Sequence, residues 1–507
     1  MPVNLTSRSR IRITLLFLSL SIVTPHGSGV RAQETAIAIV GVTLIDGNGG
    51  PALADAMIVV QNKHISAVGP RSAVSVPAGA RILDGKGKFA TPGFIDTNVH
   101  VSPLSGQTSF ARYWDRLEEV ILQASQLHLK YGVTTIRDSY GPLRPLIAVR
   151  EAIARGQEIG PRMYVAGNIV GWGGPYSETF SRTREAGLTL FEEQMNDLFT
   201  DGTGEELLHM VPEELRVAMN KYLDKGPDFI KYGGTVHYEY PAAIAFSPRA
   251  QEVIVEETHK RGLIAETHSA TPEGLRISIL AGIDLIQHPR SLGGRELTDE
   301  LVHLIVDRKI ICSGLSNTTT GKPWKDHLKK RERVLRERRE AEKGAPRSVP
   351  KTTAEIRREQ EELGHTLEVK RRNDERLIKA GCIVSIGTDN TTSVAPEFRR
   401  TEKSQHQDPG IGTILAIEGL VELGMTPAQA IVAATKNGAL ACKALDKFGT
   451  IETGKMADVL LLGADPLVDI SNIRKLELVM KEGRLIDIAS LPTKRPYGEW
   501  STTSGPQ

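Results

Sequence analysis

The chain is poor in cysteine and in aromatic residues, and it has no excess of charge of one sign. Its three cysteines, Cys312, Cys382 and Cys442, are far apart and lack the Cys-x-x-Cys spacing of a metal or redox site. They are predicted to be buried structural thiols. Lysine and arginine number 63 against 61 acidic residues. This balance offers no global electrostatic attraction for nucleic acid or an anionic membrane, and neither is predicted as a partner.

Long hydrophobic runs are also missing, except for one near the N-terminus. Three arginines within residues 8–12 precede the apolar segment 13–23, and Val30-Arg31-Ala32 offers a small-residue cleavage site. We predict that residues 1–32 are a signal peptide and that the protein is exported to the periplasm or secreted. The mature chain is predicted to have no membrane span, because even segment 13–23 is short for a bilayer. A short uncleaved anchor is the alternative.

Both ends of the mature chain have the pattern of β-structure. Short β-type runs separated by turn residues occupy residues 33–90, and similar runs occupy 447–490. We predict that the two segments form one small β-sandwich domain, with residues 491–507 as a tail. Two separate β-appendages are the alternative.

Between these ends, residues 91–446 alternate apolar strands with helical stretches. The eight candidate strands are 93–100, 134–138, 162–170, 228–233, 263–268, 283–288, 310–314 and 383–389. Eight βα units of this length favour an α/β fold, a (β/α)8 TIM barrel, over a doubly wound sheet. A charged segment, 322–379, interrupts the alternation. Its interspersed acids and bases predict a solvated helical insertion, a candidate lid, rather than a nucleic-acid-binding helix.

Ionisable residues mark the carboxyl ends of several candidate strands. They are His100, His268, His288 and Asp389, and Lys231 lies inside a further strand. In a parallel barrel these ends face one rim, where barrel active sites lie. One buried histidine is usually a hydrogen-bonded core residue. Histidine or aspartate at four strand ends instead predicts a divalent metal site, since imidazole and carboxylate are ligands of zinc and similar ions.

Four motifs accompany these residues in order along the chain. They are Pro92-Gly93-Phe94-Ile95-Asp96, Gly132-Val133-Thr134-Thr135 with Arg137-Asp138, Gly387-Thr388-Asp389, and Gly454-Lys455-Met456-Ala457-Asp458 with Asp465-Pro466. Together they resemble the amidohydrolase superfamily, and within it the imidazolonepropionase-like group that includes Xaa-Pro dipeptidases. The resemblance spans nearly the whole mature chain. It implies a (β/α)8 barrel, a β-sandwich assembled from both termini, and hydrolysis at a metal site.

The resemblance also implies roles for individual residues. His100 matches the second histidine of the family's His-x-His motif, and His268 and His288 match the histidines that end strands five and six. Lys231 matches the lysine that members of the group carboxylate to bridge two metals. Asp389 matches the strand-eight aspartate, which binds metal and acts as the catalytic proton shuttle. A divalent ion lowers the pKa of a bound water from 15.7 towards about 7, which makes a nucleophile available.

One position departs from the family pattern. Asn98 stands where the first histidine of His-x-His is expected, and an amide oxygen is a weaker zinc ligand than imidazole. Three interpretations follow: two metals with one held loosely, a single ion held by Lys231, His268 and His288, or an inactive site. The otherwise intact set argues against an inactive site, and a mononuclear or asymmetric site is the preferred hypothesis. The predicted cofactor is therefore a divalent metal, zinc by preference, at one or two ions per chain.

The substrate is less well defined. The run Gly171-Trp172-Gly173-Gly174-Pro175 lacks the histidine of the Gly-Gly-His loop often present in the dipeptidase group. Tyr232, His237 and Tyr238 are predicted to line the pocket, with surface loop positions as the alternative. We predict hydrolysis of amide, cyclic amide or small peptide bonds in a small-molecule or peptide substrate, by a chain that could form a homo-oligomer. The alternatives are an esterase or lactonase, or a catalytically silent barrel.

Overall fold

The computed structural model describes residues 36–103, 107–180, 187–238, 242–290, 292–342, 352–392, 394–399 and 405–497. The predicted signal peptide lies outside the described residues. Within them, no helix combines the length and apolar character needed to cross a membrane.

Short strands dominate both ends of the described chain and alternate with helices in its middle. In chain order the strands are β1 (Ile37–Leu44), β2 (Leu53–Gln61), β3 (His64–Pro70), β4 (Arg81–Asp84), β5 (Phe89–Pro92), β6 (Phe94–His100), β7 (Val133–Asp138), β8 (Arg162–Val165), β9 (Ile169–Val170), β10 (Phe229–Gly233), β11 (Ile264–His268), β12 (Leu285–Gln287), β13 (Ile311–Gly314), β14 (Ile383–Ile386), β15 (Asn390–Thr391), β16 (Val459–Leu462), β17 (Leu476–Lys481) and β18 (Arg484–Ile486).

The helices follow the strands in the manner of βα units. They are α1 (Gln107–Tyr113), α2 (Leu117–Lys130), α3 (Leu143–Ala154), α4 (Leu190–Thr200), α5 (Pro212–Leu223), α6 (Pro248–Lys260), α7 (Pro272–Leu280), α8 (Asp299–Asp307), α9 (Ser316–Thr319), α10 (Gly321–Glu342), α11 (Thr353–Glu362), α12 (His365–Lys379), α13 (Ile411–Glu422), α14 (Pro427–Ala434) and α15 (Lys436–Ala441). Local signals set several starts. In α7, for example, the Thr271 hydroxyl accepts from the Gly274 amide at 3.0 Å and Pro272 occupies the first turn.

Strands from both ends of the chain pair in one eight-stranded sheet. Its order is β18-β17-β16-β5-β1-β2-β3, with β4 beside β1. Apolar residues from both ends, such as Ile39, Ile58 and Leu461, form a shared core under this sheet. The structure thus joins the two predicted β-segments directly, while their assignment as a β-sandwich domain stays a prediction.

The central strands form two parallel sheets, β9-β10-β11-β12-β13-β14 and β15-β6-β7-β8. Only residues 166–168 separate β8 from β9, and only residues 387–389 separate β14 from β15, so the strand order is that of a TIM barrel. Hydrogen-bonded pairing is interrupted at these two places rather than continuous around the ring. Gly167 and Asp389 have φ of 79° and 55° there, and left-handed residues cannot continue an extended strand.

Three helices, α10, α11 and α12, make up the described part of the charged segment 322–379. Helix α12 attaches this segment to the barrel, because it buries Val369, Asn373, Asp374 and Leu377. The segment follows β13 and α9 and precedes β14, so it emerges from the rim at which the strands end.

Candidate active site

The fold brings the predicted site residues to one edge of the parallel strands. His100 ends β6, Lys231 lies in β10, His268 ends β11, His288 directly follows β12, and Asp389 lies between β14 and β15. The three histidines expose only 7, 8 and 6% of their surface in that order, and Lys231 exposes 1%. The rings of His268 and His288 are 5.6 Å apart between centroids.

Asp389 lies at the meeting point of this group. Its Oδ1 is 2.8 Å from Nε2 of His100 and 3.7 Å from Nε2 of His288. The Asn98 amide donates to the same oxygen at 3.4 Å. The Asp389 side chain is 32% exposed, whereas the histidine side chains are below 10%, so a substrate can reach the group beside this carboxylate.

Burial controls the protonation of His268 and His288. It lowers the pKa of His288 to about 3, although the neighbouring Asp389 charge opposes the shift. Burial together with nearby His288 and His237 lowers the pKa of His268 well below its ordinary value. Burial alone would raise the pKa of Asp389, but the interactions with His288 and His100 outweigh it and hold that pKa well below its usual range. Neutral imidazoles beside an ionised carboxylate are the protonation states that bind a metal ion.

Lys231 is connected to Asn98 through a serine that the sequence reasoning missed. Lys231 Nζ donates to Ser139 Oγ at 3.2 Å, and Ser139 Oγ donates to the Asn98 side-chain oxygen. Burial lowers the pKa of Lys231, which favours the neutral amine that carboxylation requires. Ser139 directly follows the Arg137-Asp138 motif at the end of β7, and this position in the sequence could have identified it as a site residue.

The same contacts orient the Asn98 amide. Its oxygen is bonded to Ser139, while Nδ2 lies 3.3 Å from Nε2 of His288 and 3.4 Å from Asp389. Asn98 therefore presents its nitrogen, not its oxygen, to the histidine and carboxylate group. Acting as a metal ligand would require the amide to rotate or Ser139 to release it.

Two of the candidate ligands have a strained backbone. His288 and Asp389 have φ of 52° and 55°, in the left-handed region that non-glycine residues rarely occupy. The His288 amide donates to the Ser313 carbonyl at 3.2 Å, and the Asp389 amide donates to the Asn98 carbonyl at 2.9 Å. Such conformations persist where surrounding contacts hold them, and they concentrate at functional sites.

The donor chemistry fits a divalent ion. Nδ1 of His100 and Nδ1 of His288 are buried without a hydrogen bond to any residue that the structure describes, and imidazole nitrogens are zinc ligands. In the part of the chain that the structure describes, no three histidine, cysteine or acidic side chains lie close enough together to form a metal-binding group. Instead, His100 and Asp389 pair with each other. Metal binding would exchange that pairing for coordination.

The three predicted pocket residues occupy different places. The Tyr232 hydroxyl donates to Gln251 of α6 at 3.0 Å, so this buried side chain lies between strand and helix rather than at the site. His237 reaches the site, with its ring 5.6 Å from that of His268. Tyr238 is half-buried.

Comparison with known proteins settles the family. The sequence model of the amidohydrolase family matches residues 89–486, which is most of the chain. The chain belongs to the amidohydrolase family. The predicted resemblance is confirmed, as are the predictions of a hydrolytic enzyme and of an α/β fold of the TIM-barrel type.

Two solved structures resemble this amidohydrolase along nearly its whole length. Molinate hydrolase is 28% identical with a TM-score of 0.77, covering 93% of this chain and 98% of its own. Phenylurea hydrolase B is 30% identical with a TM-score of 0.78, covering 90% and 98%. A curated relative, the 5-methylthioadenosine/S-adenosylhomocysteine deaminase of Symbiobacterium thermophilum, is 31% identical over 149 residues, 26% of this chain. The match spans about a third, 32%, of that deaminase.

Proposed function

We propose that this amidohydrolase is an exported, metal-dependent hydrolase of amide, cyclic amide or small peptide bonds. The observation that carries the proposal is the ionised Asp389 carboxylate in contact with the buried imidazoles of His100 and His288 at the carboxyl ends of parallel strands. The phenylurea hydrolase and deaminase names among its relatives support chemistry at carbon–nitrogen bonds. The predicted leader supports export.

The residues that would hold the metal are His100, His268, His288, Asp389 and Lys231, the last as its carbamate. Zinc is the preferred ion, and when bound it would polarise the scissile carbonyl and lower the pKa of water. Because the Asn98 oxygen is engaged by Ser139, we favour one tightly held ion over two.

Asp389 carries the proton transfer. A hydrogen bond from the Asn98 amide and contact with His100 orient its carboxylate, which accepts a proton from the attacking water. The water oxygen bonds to the carbonyl carbon, the carbon–nitrogen bond breaks, and the proton passes to the leaving nitrogen. The products are a carboxylic acid and an amine.

Elemental analysis of protein purified without chelator tests this proposal, with Lys231→Ala and Asn98→His compared to the parent. We expect one tightly held ion in the parent, its loss in Lys231→Ala, and a second ion in Asn98→His. Lys221→Ala, which removes an exposed lysine of α5, is the matched control and should keep the parental content. Two tightly held ions in the parent would refute the asymmetric site. None after incubation with zinc and bicarbonate would indicate a silent barrel.

Ester or lactone hydrolysis is the second candidate, because the same activated water attacks either carbonyl. A panel of N-acyl amino acids, dipeptides, cyclic amides and lactones separates the two. Activity confined to lactones would replace the amide proposal.

Sequencing the N-terminus of protein recovered from the periplasm or medium tests export, and a chain beginning near residue 33 is expected.

A further inference from the structure

Aromatic residues lie on the same rim as the candidate ligands. Tyr140 comes two residues after β7, and Trp172 comes two residues after β9. The Tyr140 ring lies edge-on to His100, with centroids 6.2 Å apart, and the Trp172 ring lies 4.9 Å from that of His268. Two aromatic rings therefore contact two of the candidate ligands directly.

Two further rings extend this surface outward. Phe180 is half-buried and His237 is exposed, and their rings stack 4.5 Å apart at an interplanar angle of 7°. Trp172 contacts Phe180 at 5.7 Å and His237 at 5.3 Å, while Tyr140 contacts Phe180 at 5.3 Å. We call Tyr140, Trp172, Phe180 and His237 the aromatic wall. It leads from the protein surface to the candidate metal ligands.

Hydrogen bonds hold most of the wall in place. The Trp172 indole donates to the Thr235 carbonyl at 3.0 Å, and Nδ1 of His237 lies 3.0 Å from the Phe180 carbonyl oxygen. The wall is thus preorganised, so a ligand does not have to order it on binding.

Tyr140 is the exception, because its hydroxyl has no partner among the described residues. The residue is 1% exposed, and this oxygen is buried without a hydrogen bond to any described residue. A buried tyrosine hydroxyl normally finds a partner, since losing water without replacement is costly. A buried donor without a described partner, on a residue whose ring contacts His100, indicates that its partner is a ligand.

We propose that the aromatic wall binds an aromatic ring attached directly to the scissile amide, and that the Tyr140 hydroxyl donates a hydrogen bond to the amide oxygen. The inference rests on the proposed function and specifies its substrate class. Stacked and edge-on contacts with a flat ring are favourable beyond the area they bury. A conjugated aryl amide is planar, so its ring can contact the wall while its carbonyl lies beside His100.

Binding measured by calorimetry in the non-hydrolysing Asp389→Asn background tests the ring preference. Acetanilide is compared with N-cyclohexylacetamide, and N-methylbenzamide with N-methylcyclohexanecarboxamide, so that the two arms distinguish a ring on nitrogen from a ring on carbon. We expect the aryl member of at least one pair to bind about three- to tenfold more tightly. Phe180→Leu should reduce that ratio towards one. Phe191→Leu, a half-buried ring of the same cluster that contacts Trp114, should keep it.

Tyr140→Phe tests the hydroxyl separately. Affinity for both members of the preferred pair should fall about three- to tenfold, with an unchanged aryl preference. The melting temperature should not fall, because the hydroxyl has no partner to lose within the described part of the chain. A lower melting temperature with unchanged affinity would overturn the assigned hydrogen bond.

The two proposals fail in different ways. Equal affinity for aryl and cyclohexyl compounds, or a preference that survives Phe180→Leu, overturns the aromatic subsite even if the parent enzyme hydrolyses amides. Aryl preference without hydrolysis of any amide by the metal-loaded parent supports the subsite and overturns the proposed reaction.

Discussion

A buried ion pair lies one layer beneath the candidate active site. Nη1 of Arg137 is 2.8 Å from Oε2 of Glu266, and both side chains are fully buried. Glu266 and His268 are two residues apart on β11, so their side chains point to the same face of the strand. Gln287 donates to Glu266 at 2.9 Å, and the Arg137 guanidinium lies 3.8 Å from the Phe229 ring centroid. The layer that supports the ligands is therefore charged rather than apolar.

Replacing Glu266 with glutamine should destabilise the protein strongly. The change leaves the Arg137 charge buried without a counter-charge, and we expect a loss of about 3–5 kcal/mol in the free energy of unfolding by urea denaturation. Glu158→Gln removes the partner of the half-exposed Lys494 and should cost less than about 1 kcal/mol. Equal effects of the two changes would contradict this account.

The low pKa of His288 predicts how the stability of the metal-free protein depends on pH. The folded-state pKa is about 3 against an ordinary 6.5, so between these values only the unfolded chain is protonated at this residue. His288 therefore reduces the free energy of unfolding as the pH falls below about 6.5. When the pH is lowered from about 7.5 to about 5, the free energy of unfolding of the parent should fall by roughly 2 kcal/mol more than that of His288→Asn. Urea denaturation with chelator present measures the difference, and a pH-independent difference would refute it.

At the scale of elements, helix α12 holds the loop that follows β12 and carries His288. The buried Arg290 donates to Asp374 of α12 at 2.6 Å and to the Leu315 carbonyl at 2.7 Å. The adjacent Asn373 accepts from the Leu297 amide at 2.9 Å. The insertion therefore supports a candidate ligand through α12.

Asp374→Ala should release this attachment. It leaves the Arg290 guanidinium buried beside Thr319 without a negative partner, so we expect a loss of about 3–5 kcal/mol in urea denaturation. Glu375→Ala on the same helix is the control, because its side chain is 44% exposed and its partner Arg371 keeps a second carboxylate, Glu422. The control should cost less than about 1 kcal/mol, and a comparable loss in both variants would argue against a specific attachment.

At the scale of the whole molecule, both chain ends contribute to the structure around the barrel. Beyond the shared sheet, residues 491–497 return to helix α2, where the Gln126 amide donates to Thr493 at 2.8 Å. Leu491 and Tyr497 are fully buried, and the Tyr497 ring lies 4.5 Å from that of Tyr113. Tyr497 also belongs to one buried cluster with Ala395, which comes shortly after Asp389 in the chain.

Ending the chain at Ser490 should therefore lower stability. Two buried side chains are lost, each worth about 1.5–3 kcal/mol, so the free energy of unfolding should fall by at least ~3 kcal/mol and the melting temperature should fall with it. Lys494→Ala within the same segment should change the melting temperature little, because its ion pair with Glu158 is at the surface. An unchanged melting temperature in the truncated chain would contradict the contribution of this segment.

The sequence by itself determined the fold class, the family and the candidate ligands. Strand and helix patterns repeat locally, so the apolar runs ending in His100, His268 and His288 could be recognised without knowing what they pack against. The ends of the strands were harder to predict from the sequence. The predicted strand 162–170 is divided into β8 and β9, and Asp389 lies outside β14, because left-handed φ values at Gly167 and Asp389 break the extended backbone.

Only the tertiary structure decided how these residues interact. Ser139 lies between Lys231 and Asn98, residues that are 92 and 41 positions away from it along the chain. Arg290 meets Asp374 across 84 positions. No local periodicity encodes such pairs, because they depend on which strands and helices become neighbours and on how buried polar groups satisfy one another. The sequence thus identified the candidate ligands, whereas tertiary packing determined their hydrogen-bond partners and protonation.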